Sequence, residues 1–89
     1  MKGEFGSKIY TIRLQMYEEV VGIYRNKSSK GNPILEVKGE DLEVDVSGSI
    51  HFDQLKEQLN SLSLGDLVGV LRIDRVDQPF LIRVIKRVG

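Results

Sequence analysis

Only one segment of this 89-residue chain repeats its apolar residues at helical spacing. Phe52, Leu55, Leu59 and Leu62 recur at steps of three and four, which puts their side chains on one face of an α-helix. The remainder alternates apolar with polar residues, or carries turn residues, as strands and loops do. A lone central helix with strands on both sides restricts the chain to a mostly β domain with one interstrand helix. The helix is predicted to start near Phe52, where Ser49 and Asp53 are both good N-cap types. It is predicted to stop before Gly65. The length suits one domain with one modest core. Residues 1–7 are polar with two glycines and are expected to form a flexible N-terminus. The domain then occupies residues 8–89.

From Lys8 to Tyr17, Tyr10, Ile12, Leu14 and Met16 alternate with polar residues, which predicts a half-buried strand. Val20 to Arg25 resumes the strand pattern beyond Glu18-Glu19. Residues 8–26 therefore form one long bent strand or two shorter ones. Gly22 inside the run predicts a bulge or bend. Asn26 to Pro33 is a loop. Ile34 to Lys38 and Leu42 to Val46 read as a hairpin through Gly39-Glu40, with glycine first as a type II′ turn prefers. Its outward face carries Glu36, Glu43 and Asp45. Asp66 to Ile73 is apolar on both faces, so it is predicted as the most buried strand, with a close backbone approach at Gly69. Asp74 to Pro79 is a second loop. Phe80 to Val88 is the last strand.

This order resembles the OB-fold, a five-stranded Greek-key barrel with its helix between the third and fourth strands. The resemblance rests on Val20 to Tyr24, Ile34 to Val37, Leu42 to Val46, the helix at Phe52 to Leu62, and Leu64 to Val70. It covers residues 9–87 and implies a small five- or six-stranded, OB-like Greek-key barrel. The segment from Ile9 to Met16 departs from the minimal pattern. An SH3-like or Sm-like barrel is the competing fold, but an Sm fold places its helix first.

Net charge is zero but blocked along the chain: +3 over residues 1–35, −6 over 36–66 and +3 over 67–89. Such blocks suit a dipolar domain with basic edges. Catalysis has little to work with, since His51 is the only histidine and there is no cysteine. No metal or cofactor site is expected: the acid pairs Glu18-Glu19 and Glu40-Asp41 lie in predicted turns, and no Gly-rich phosphate loop is present. No apolar run is long enough to span a bilayer and no signal-peptide pattern is visible, so a cytoplasmic protein without a membrane partner is expected.

The resemblance implies binding of single-stranded nucleic acid by the two loops. The candidate residues are Tyr24 as a base-stacking platform and Lys27, Lys30 and Arg75 as phosphate contacts, with Arg25 leading into the first loop and Arg72 and Arg83 as mid-strand charges that serve either the ligand or an ion pair within the fold. The three carboxylates on the hairpin face would repel phosphate there. A protein-interaction or assembly module, using a strand edge or that acidic face, is the alternative. The oligomeric state is not readable from the sequence.

Overall fold

The computed structural model describes residues 9–46 and 52–88, with side chains from 55 onward in the second span. The strands are β1 (Ile9–Ile12), β2 (Glu19–Lys27), β3 (Pro33–Val37), β4 (Glu40–Val44), β5 (Leu67–Arg72) and β6 (Phe80–Lys86). One helix, α1 (Phe52–Asn60), lies between β4 and β5. They form one six-stranded sheet in the order β1-β4-β3-β2-β5-β6. After the β2–β3–β4 meander the chain crosses through α1, and β5 returns to lie beside β2. The sheet is not closed into a barrel. The far edge of β4 is taken by β1, which runs parallel to it with Tyr10 opposite Leu42 and Ile12 opposite Val44.

The stretch expected as one bent strand or two thus holds two, β1 and β2. Tyr17 adopts a positive φ of 64°. The Glu18 amide donates to the Gln15 carbonyl, and the Gln15 amide to the Glu18 carboxylate. This turn ends the alternation, leaving Leu14 buried and Met16 exposed. The hairpin turn is Lys38-Gly39, one residue earlier than the composition suggests. Both residues have positive φ, 53° and 82°, as a type I′ turn requires. The bulge of β2 is at Arg25, where the register slips between Tyr24 and Asn26, and not at Gly22.

Alternation does the rest. Inward residues Tyr24, Leu35, Val44, Val68, Val70 and Phe80 form one core with Leu55 and Leu59 of α1. Leu62 continues the apolar face just past the helix. The helix stops at Asn60 with the Ser61 and Leu62 amides bonded back to Gln58 and Leu59. Gly65, with φ of 100°, instead shapes the turn into β5. The expected flexible N-terminus at 1–7, the Ser49 cap, His51, and the side chains of Phe52 and Asp53 lie outside the described residues.

Candidate functional site

The acidic hairpin face is neutralised by its neighbours. Arg25 pairs with Glu36 at 3.3 Å and reaches Asp41 at 4.0 Å; Arg13 pairs with Asp45 at 3.2 Å. Glu43 accepts from Thr11 and from buried Asn32, at 3.3 and 3.0 Å. Bonds from Ser28 and Asn32, with Thr11 and the charge of Lys30 behind them, hold its carboxyl below the ordinary 4.5. The charge blocks of the sequence are therefore largely strand neighbours that answer one another across the sheet.

The predicted nucleic-acid residues are scattered and engaged. Tyr24 is buried in the core at 6% exposure, so its ring offers no face to a base, and burial raises its hydroxyl pKa. Lys27 donates from Nζ to Asn60 Oδ1. Half-buried Arg72 donates to the Leu14 carbonyl at 2.8 Å, bracing the turn from β1 into β2. Arg75 pairs with Asp77 in its own loop, and Arg83 pairs with Glu19 at 3.3 Å. Lys30 lies near Glu43. The two loops also part company. Glu19 sits opposite Leu71 and Ile23 opposite Leu67, so residues 73–79 leave the sheet at the start of β2. Residues 28–32 leave it at the other end, up to about 26 Å along an extended strand.

What the sheet does bring together is an outward apolar face on β2, β5 and β6. Its rows follow from the register: Glu19, Leu71, Leu81; then Val21, Gly69, Arg83; then Ile23, Leu67, Lys86. Ile85 joins the third row as the extra residue where β6 slips register. Val21, Ile23, Leu81 and Ile85 are 39–44% exposed although they share one face, unlike singly scattered surface residues. Gly69 is the centre of the grid. A side chain there would meet the tip of Glu19, so what lies close to Gly69 is the Glu19–Arg83 side-chain pair and not the backbone approach expected from the sequence. The third row runs into a hollow of about 410 Å³ lined by Ile23, Gly65, Leu67, Lys86, Arg87 and Val88. Beside this face, the second edge of β6 pairs with no strand among the described residues. Its alternate N–H and C=O groups there lack ladder partners. The sequence signal for this face was the apolar content of both sides of 67–71, which reads as deep burial unless the second side is left uncovered.

The hollow is fixed by Asp66, whose carboxylate is buried at the turn beneath it. It accepts from the Val88 amide at 2.9 Å and the Ser63 amide at 3.0 Å, and lies 3.5 Å from Arg87. These bonds, the Val88 amide first, hold its carboxyl below the ordinary 3.8. A carboxyl depressed by folding stabilises the fold above its unfolded pKa, and that contribution is lost as pH falls through the folded value. The urea midpoint is thus expected to hold from pH 8 to about 5 and to fall below about 4. Asp66→Asn is expected to lower the midpoint at pH 7 and flatten the acid limb. A variant whose acid limb matches the wild type would remove Asp66 from this account.

No protein family, curated protein or solved structure matches the chain. Among the described residues, no group of three or more His, Asp or Glu could hold a metal ion. No helix among them is long and apolar enough to cross a membrane.

Proposed function

We propose that the chain is a non-catalytic binding module that takes up an extended segment of a partner protein along the open edge of β6. The observation that carries this reading is a strand edge, unpaired among the described residues, directly beside an apolar sheet face. An added strand gains main-chain hydrogen bonds from such an edge, and alternate side chains supply selectivity. The strand order supports the OB resemblance: three strands in a meander with the next one returning beside the first is the Greek-key arrangement. On that template the module departs from nucleic-acid binding, because Tyr24 is buried and the arginines carry intramolecular partners.

Selection from a random library of unstructured decapeptides tests the reading. Binders are expected, and their addition should shift backbone amide signals of β5 and β6 in the isotope-labelled protein. Twenty-nucleotide single-stranded DNA and RNA at low salt, where phosphate contacts are strongest, should leave those signals in place. Oligonucleotide binding that shifts 24–32 and 73–79, with no peptide recovered, would overturn it.

A further inference from the structure

We infer that the segment taken up by β6 belongs to a partner protein and is acidic and alternating. Its carboxylates lie on the outward side of the sheet and its apolar side chains on the inward side. This rests on the proposed edge-binding role and adds the chemistry of the partner. An added strand copies the facing of its neighbour, because successive side chains point to opposite faces. On the inward side the neighbours are Ile82 and Val84, half-buried at the margin of the core. Only apolar side chains extend that core without a desolvation cost. On the outward side the neighbours are apolar Leu81 and Ile85 and cationic Arg83 and Lys86, followed by Arg87 at the hollow. Among the described residues, three cations stand there against one carboxylate on the sheet face, Glu19, which Arg83 already engages. Arg87 reaches buried Asp66 and the Ser61 carbonyl at 3.5 and 3.4 Å. Lys86 has no hydrogen-bond or ion-pair partner among the described residues. A carboxylate on the added strand beside Lys86 meets that unanswered charge.

A second copy of this chain fits poorly. Residues 78–88 contain Arg83, Lys86 and Arg87 and no acid. Pairing β6 with its own copy sets six positive charges along one short ladder, and like charges facing across strands are destabilising. The bulge at Ile85 and the lysine after it are also devices that blunt an edge against self-pairing. An acidic segment turns that same lysine into a contact.

The probe is a decapeptide alternating valine and glutamate, with counterparts carrying glutamine or lysine in place of glutamate. Each is titrated by fluorescence anisotropy against the full chain at 20 and 300 mM salt. The acidic peptide is expected to bind best, and less well at high salt, since exposed pairs are screened. Lys86→Glu should weaken its binding by roughly 3- to 30-fold, the loss of one exposed attraction and the gain of one repulsion. The same variant should strengthen binding of the lysine peptide. Lys86 is exposed, and an unchanged unfolding midpoint will show that the variant folds. If the three peptides bind alike, or Lys86→Glu changes none of them, the acidic assignment fails while edge binding stands. If the library itself yields no β6 binder, edge binding fails and the assignment with it. Concentration-dependent dimerisation that protects β6 amides would instead make a second copy the occupant and overturn the inference.

Discussion

Gly22→Ala is expected to destabilise the protein by about 3 kcal/mol, the upper end of the usual cost of overpacking. A β-carbon built on Gly22 lies 2.7 Å from the Glu36 carbonyl oxygen, 2.7 Å from Val37 Cγ2 and 3.1 Å from Leu35 Cβ. The first of these is backbone and cannot rotate away. It belongs to the β3 residue paired with Ile23, so relief requires β2 and β3 to separate where their ladder holds the meander together. The gain of about 0.5–1 kcal/mol from replacing a flexible glycine is too small to offset that. Gly69→Ala is the contrasting case. Its tightest contact is Glu19 Oε2 at 2.6 Å, the free end of a side chain that can swing aside. Doing so gives up an exposed ion pair with Arg83, worth about 0–1 kcal/mol, against a similar gain in chain entropy. Urea titrations should therefore show a large loss for Gly22→Ala and a change within about 1 kcal/mol for Gly69→Ala. Equal losses would mean that the Glu19 side chain cannot swing aside and that Gly69 is as crowded as Gly22.

That contrast shows where the sequence was legible. Both glycines interrupt apolar strands, and local pattern treats them alike. What separates them is which face of the sheet each β-carbon would occupy, a matter of register between strands distant in sequence. The helix was readable because its period is internal to one segment. So was the inward set of β3 and β4, because Leu35, Leu42, Val44 and Val46 alternate within one hairpin. The open edge was not. Ile9–Ile12 reads as a strand from its own residues, but nothing local says that it lies parallel to β4, 32 residues away at Tyr10 and Leu42, and takes the edge a closing strand would need.

The candidate site was hidden for the same reason. Arg25, Arg75 and Arg83 look available in the sequence, while the carboxylates that engage them sit 11, 2 and 64 residues away. Leu67 and Leu71 look like core because a strand apolar on both faces is normally covered on both. The unpartnered face appears only when Val21, Ile23, Leu81 and Ile85 fall in rows beside them. The two strands that flank β5, with apolar outward residues Val21 and Ile23 on one and Leu81 and Ile85 on the other, were the further signal.

Leu59→Ala is expected to cost about 2–5 kcal/mol, the range for removing a buried leucine side chain and leaving a cavity. A domain of this length has roughly 5–13 kcal/mol of stability in all. Leu59 is 1% exposed, and with Leu55 and Leu62 it is the apolar stripe that ties α1 to the core. The nine-residue helix is too short to persist without that attachment. Its Asn60 accepts from Lys27 at the end of β2, and the Ser61 carbonyl just beyond accepts from Arg87 at the end of β6. Loss of Leu59 should therefore loosen both strand ends as well as the helix. The urea midpoint should fall with an unchanged slope, as for a loss of stability without a change in the surface exposed. Amide exchange should rise first in α1 and in 84–88. Glu57→Ala, on the exposed side of the same helix, should shift the midpoint by no more than about 0.5 kcal/mol. If the two substitutions cost the same, α1 is not anchored through its leucine face, and the helix contributes little to holding β6 in place.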